Sequence, residues 1–207
     1  MKRTLLGFAV IFATTGYVQT TSAASPAATV APLLQTTTDS TVALLDKAVA
    51  ANAKGDKAAT VQALQAGTTA LEAEAKSSTG SLKDKLLGQV GNLKKLLPLA
   101  QSGLLKGNVL QKAVSLAKTA LGANQIEKLM GGGNLVSKVS GLTKNLNLVK
   151  TGLSALGGSS ASSGNSLIST ALGGLSTLSK GGVAAKAAEP AVKGQLDSVL
   201  GLVKGIL

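Results

Sequence analysis

The sequence predicts an all-α protein: a loose multi-helix bundle with an N-terminal αα-hairpin, preceded by a signal peptide and a short linker. Three observations carry that expectation. Apolar residues recur every three or four positions through most of the chain, the spacing of one helical face, and no run alternates with period two as a half-buried strand would. Gly-, Ser- and Pro-containing breaks separate these runs into about seven helical segments. Apolar residues make up 44% of the 207 positions, with mean hydropathy +0.31, too many for a wholly disordered chain and too dispersed for several membrane spans.

The first element is a secretory signal peptide, residues 1–23. Lys2 and Arg3 precede an uncharged apolar stretch from Leu5 to Val18, and Thr21-Ser22-Ala23-Ala24 supplies small residues for cleavage. Gly16, Gln19 and the Thr/Ser cluster leave the apolar stretch shorter than the roughly 20 residues that a membrane span needs. Residues 24–38 hold Pro26, Pro32 and a threonine run and read as a linker.

Residues 39–76 read as the αα-hairpin. Asp39 or Thr38 is placed to cap a helix bearing Val42, Leu45, Val49 and Ala53, and Gly55-Asp56 turns the chain before Val61, Leu64, Thr68 and Leu71 resume the period. Residues 77–156 form a helical region with a heptad-like seam. Ser81 and Asp84 have capping-box spacing, Pro98 is expected to end or kink the helix that follows, and separate segments are expected over Val109–Leu121 and Asn124–Met130. The seam itself, Leu135, Val139, Leu142, Leu146, Val149, Leu153 and Leu156, steps alternately by four and three, the a/d pattern that buries against another helix. Residues 157–164, GGSSASSG, read as a flexible Gly/Ser linker. Residues 165–207 hold C-terminal helices, one ending near Gly181-Gly182 and the last following Pro190 with Val192, Leu196, Val199, Val203 and Ile206 on one face. A core without rings, and glycines such as Gly88, Gly91, Gly141 and Gly152 within helices at about 1 kcal/mol each, are the grounds for expecting looseness.

Composition removes whole classes of chemistry. The chain has no His and no Cys, so it lacks the imidazole that serves as a base near neutral pH, the thiolate nucleophile, and both imidazole and thiolate as metal ligands. Loss of residues 1–23 removes Phe8, Phe12 and Tyr17, the only aromatics, and Arg3, the only arginine, and lowers the net charge from +12 to +10. A lysine-only chain without rings lacks the Arg forks and stacking surfaces of specific nucleic-acid readers, while keeping attraction to polyanions. The charge is uneven: five acids and four lysines lie between Asp39 and Lys76, and Glu127 is the one acid among eleven lysines from Lys94 to Lys186.

Few motifs remain. Ser115-Leu116-Ala117-Lys118 has the form S-x-x-K and Lys150-Thr151-Gly152 the form K-T-G, two of the three elements of serine β-lactamases and penicillin-binding proteins. The third, S-D-N, is missing, and the interval between the two leaves no room for the intervening domain. Glu72 and Glu74 are two apart, so on a helix they point in different directions. Gly131-Gly132-Gly133-Asn134 lacks the G-K-[ST] of a phosphate loop, and the Gly103/Gly107 and Gly201/Gly205 spacings enclose Lys106 and Lys204.

No catalytic, cofactor-binding or metal residue is assigned, and the expectation is a non-enzymatic protein. It is expected to be exported to the periplasm, cell envelope or extracellular space, with a structural or partner-binding role through an unknown protein partner or self-association. The alternative is a basic amphipathic protein that binds membrane surfaces, with anionic lipid or another polyanion as partner and no specific nucleic acid. Dispersed lysines and the lack of interfacial aromatic anchors weigh against that alternative.

Overall fold

A computed structural model describes residues 30–207. The expected signal peptide lies outside them, as do residues 24–29 of the expected linker. Seven α-helices make up most of the described chain: α1 (Val30–Ala53), α2 (Lys57–Lys76), α3 (Lys83–Ser102), α4 (Gly107–Gly131), α5 (Val139–Leu156), α6 (Gly158–Ser179) and α7 (Gly182–Ile206), with a 3₁₀ turn at Val136–Lys138. The protein is all-α, and there is no strand among the described residues.

The connectors are short, which makes successive helices antiparallel neighbours. Helix α1 packs on α2, α2 on α3, α3 on α4, and α4 returns to α1, closing a first four-helix set. Helix α4 then packs on α5, α5 on α6, α6 on α7, and α7 returns to α4, closing a second set around the same helix. The apolar cores divide along α4. Leu110, Val114, Ala117 and Leu121 join Leu45, Leu64, Leu71, Leu86 and Leu93 in the first core. Ala123, Ile126 and Leu129 join Leu142, Leu146, Leu153, Ile168, Leu175 and Leu196 in the second. Leu82, just ahead of α3, enters the second core and ties the two sets together. Each fully buried leucine contributes roughly 1.5–3 kcal/mol relative to exposure.

Several sequence expectations change. The threonine run of the expected 24–38 linker is helical from residue 30 onward, with Pro32 in the first turn of α1, where its missing N–H costs no helical bond. The α1–α2 hairpin is built into the bundle, with α1 packed on α4 and α2 on α3. Its turn is local: Gly55 adopts φ +73°, and the Asp56 carboxylate accepts from the Ala59 N–H at 2.9 Å to cap α2. Ser81 does not cap α3; its hydroxyl donates to Glu127 instead, and the cap position falls to Leu82. Helix α3 runs through Pro98, which lies in its final turns, and ends where Gly103 turns left-handed at φ +76°.

The two expected segments 109–121 and 124–130 are one helix. Gly122 does not break α4 because it is the point of closest approach to α5: a Cβ there would meet Val149 Cγ2 at 2.9 Å and the Asn145 carbonyl oxygen at 3.0 Å. The expected Gly/Ser linker 157–164 is likewise helical from Gly158. Only Gly157 and Gly158, at φ +72° and +82°, make the turn, and the rest forms the first turns of α6. Ala161 and Gly164 are buried there, and a Cβ on Gly164 would lie 2.6 Å from Leu153 Cδ1 and 2.9 Å from Leu202 Cδ2. The last helix starts at Gly182, before Pro190, which it includes. The seam residues Leu142, Leu146, Val149 and Leu153 are fully buried on α5, so the expected looseness is not visible in the burial of either core.

Candidate functional site

The most elaborate polar cluster lies where α1, α2 and α4 meet, around Glu74. The residue is 7% exposed. Thr38 Oγ1 and Gln125 Nε2 donate to Oε2 at 3.1 Å and 2.8 Å, and Thr41 Oγ1 lies 3.0 Å from Oε1. Thr38 and Thr41 are three apart on α1, which sets both hydroxyls on one helical face. Ser78, at the end of α2, donates to the Glu74 backbone carbonyl at 2.7 Å and secures the C-terminal turn.

The proton count of this cluster favours a neutral Glu74. Thr41 Oγ1 stands 3.0 Å from the Thr37 carbonyl oxygen as well as from Glu74 Oε1, and a hydroxyl has one proton to give. If Oε1 is protonated it donates to Thr41, and Thr41 donates to Thr37, so every contact is satisfied. Burial pushes the carboxyl above its ordinary range, against the opposing pull of Thr41, Thr38, Gln125 and the Lys128 charge. Lys128, on α4, is shifted down by its own burial, with Glu74 opposing that shift. Glu72, two residues earlier, points outward: bonds to Lys76 at 2.8 Å and Lys94 at 2.6 Å hold it at about 2.

A second cluster surrounds Glu127 on α4. It accepts from Ser81 Oγ at 2.7 Å, the Leu82 N–H at 3.3 Å and Lys204 Nζ at 3.2 Å, joining α3, α4 and α7. Burial pushes its carboxyl up, but the bonds from Ser81, Lys204 and Leu82 together leave it below its ordinary value. Asp39 and Asp46 lie seven apart on α1, two turns on one face. Asp39 pairs with Lys144 of α5, and Asp46 pairs with Lys118 of α4 at 2.8 Å. Asp39, Lys144 and Lys118 line a shallow cleft of about 260 Å³ together with Val42, Asn145 and Leu148.

The S-x-x-K and K-T-G strings do come together, in a packing role. Gly152 lies against α4, where a Cβ would sit 2.8 Å from the Ser115 carbonyl oxygen and 2.2 Å from Thr119 Oγ1. Lys118 gives its ammonium to Asp46. No group of three or more acidic residues suited to a metal ion occurs among the described residues. The Thr38, Thr41 and Gln125 cage escaped sequence reading because the threonine run looked like linker; the three-residue spacing of Thr38 and Thr41 was its one visible sign. Gly131 ends α4 and Gly132–Asn134 opens the α4–α5 connector, with Gly133 and Asn134 left-handed, and Glu189 of α7 accepts from the next N–H, that of Leu135, at 2.7 Å.

No protein-family model matches this chain, and neither a curated protein nor a solved structure matches it.

The described surface holds one concentrated apolar feature. Leu99, Leu104 and Val109 are 40%, 71% and 43% exposed, and all three belong to the α3–α4 corner. The Leu104 N–H donates to the Leu99 carbonyl at 2.9 Å around Gly103, so the corner is a hydrogen-bonded turn. The α1–α2 turn lies beside it: Lys57 runs close against Gly103, and Asn52 stands near Gly107. No described helix is long and apolar enough to cross a membrane.

Proposed function

We propose that this is an exported, non-enzymatic helical protein with a structural or partner-binding role in the periplasm, cell envelope or extracellular space. The observation that carries the reading is the use of its few reactive groups: Glu74, Glu127 and Lys118 are all committed to contacts between helices, and Ser115 is buried on α4. What faces outward is mostly lysine and small polar residues, with a few aspartates, Val183 and one apolar corner. The apparent leader at residues 1–23 supports export.

Expression in a secreting host tests the export half by intact mass. Removal of residues 1–23 takes Tyr17 with it and leaves almost no aromatic absorbance, whereas a recovered protein that retains Tyr17 overturns the assignment. Crosslinking and pull-down from the envelope fraction tests the partner half. A second reading, binding to an anionic membrane surface, is favoured by the lysine-flanked apolar corner.

A further inference from the structure

We infer that the α1–α2/α3–α4 end of the first four-helix set is a docking tip for an anionic lipid bilayer, with Leu104 as the inserted residue. This rests on the second reading above and gives it a place on the molecule. Three of the four exposed large apolar side chains of the described residues lie within eleven positions at this corner; the fourth, Val183, starts α7 on the second set. Lys106 lies in the same connector, Lys57 runs against Gly103, and Lys54 lies in the adjoining α1–α2 turn, all exposed. The one acid there, Asp56, is spent on the α2 cap. The tip therefore joins an apolar point to a positive collar, the two attractions that hold a protein on an anionic surface.

The shape and charge choose among occupants. Leu104 projects from a turn at the end of the bundle, and a projecting side chain enters fluid acyl chains without needing a matched pocket. Two copies meeting tip to tip would bring both lysine collars together, which like-charge repulsion opposes. Gly103 holds the turn: its left-handed φ and the Leu104-to-Leu99 hydrogen bond keep both leucines outward, so little ordering cost is added on docking.

The chain contains no tryptophan, so L104W and V183W each create a single-site fluorescence reporter. Both positions are exposed, so neither substitution enters a core, and helical circular dichroism equal to wild type is the control. Vesicles of phosphatidylcholine alone are compared with vesicles holding about one-third phosphatidylglycerol, at about 0.05 M and about 0.5 M salt. The expected result is a blue shift of L104W emission with anionic vesicles only, reversed at high salt, and no shift of V183W. In co-sedimentation of the tryptophan-free protein, L99S/L104S lowers binding roughly tenfold, and K54E/K57E/K106E lowers it on the order of a hundredfold, each with unchanged helical circular dichroism. No vesicle binding by any variant overturns both the tip and the membrane-surface reading. Binding in which both reporters shift alike, or neither shifts, overturns the tip and leaves that reading standing. An equal L104W shift with neutral vesicles removes the role of the lysine collar and overturns the inference as stated. A shift caused by envelope protein without lipid reassigns the tip to a protein partner.

Discussion

The two four-helix sets share α4 yet are held together by different means. In the first, acids and lysines stitch helices: Asp46 to Lys118, Glu72 to Lys94, and Glu74 inside its cage of Thr38, Thr41 and Gln125. In the second, Glu127 still ties α4 to Lys204 of α7, but α6 carries no charge at all, and close approach joins it to its neighbours. Gly164 admits Leu153 and Leu202, and Gly174 admits Val192 and Gln195. The uneven charge along the sequence thus corresponds to two ways of closing an aliphatic core without rings. Where acids are available they bridge helices, and where they are not, missing Cβ atoms let backbones come near enough for Leu and Val to interlock.

The largest expected effect tests whether the two sets are separable. Leu121→Ala empties part of the first core and Leu146→Ala part of the second, each costing about 3 kcal/mol. Because α4 runs through both, each substitution is expected to lower one common thermal transition. A calorimetric trace in which Leu146→Ala leaves a transition at the wild-type temperature would show two independent units.

Glycine substitutions come next in size and separate spacer from breaker. Gly164→Val is expected to destabilise by about 1–3 kcal/mol, because its side chain collides with Leu153 and Leu202. Gly88→Ala on α3 faces open space and is expected to stabilise by about 1 kcal/mol through helix propensity alone. Urea midpoints report both, and a neutral Gly164→Val would remove the close-approach account of the second set.

Glu74 gives the first set a pH signature. Its folded-state pKa lies above the unfolded value near 4.5, so its contribution is complete below that value and is lost as pH rises through the raised one. Thr38 and Thr41 from α1, Gln125 and Lys128 from α4, and Ser78 at the end of its own helix are the groups around it. Glu74→Gln reproduces the protonated pattern, with its amide nitrogen donating to Thr41 and its oxygen accepting from Thr38 and Gln125. The variant is expected to match wild type in acid and to exceed it by about 1 kcal/mol above the raised pKa. Melting curves across pH check this, and a variant less stable than wild type throughout would mean that the ionised form is the one the cage holds. The smallest effect belongs to half-buried Glu72. Glu72→Gln is expected to shift the urea midpoint slightly at low salt and not at high salt, and the wild-type pair is expected to weaken as pH falls from 4.5 toward 2.

Much of the fold was legible because helix formation is mostly local. The alternation of four and three from Leu142 to Leu153 states which face of α5 is buried, and Gly55-Asp56 states a turn and a cap in two residues. The spacing of Glu72 and Glu74 states that they diverge, and one is indeed outside and the other inside. What the spacing does not state is which of the two is buried, since that depends on where α4 brings Gln125.

The sequence by itself determined the helical class, the apolar stripes, the Gly55 turn and the lysine excess, all properties of residues within a few positions of one another. Tertiary structure alone decided whether a glycine is a break or a contact. Gly55 and Gly122 carry the same intrinsic penalty of about 1 kcal/mol in a helix. Only at Gly122 does a neighbouring backbone, at Asn145, and a buried side chain, Val149, fill the space that a Cβ would take. The same reason turned GGSSASSG from a linker into the start of α6: burial of Ala161 and Gly164 against distant leucines offsets a poor local propensity, and the partners Leu153 and Leu202 lie on other helices.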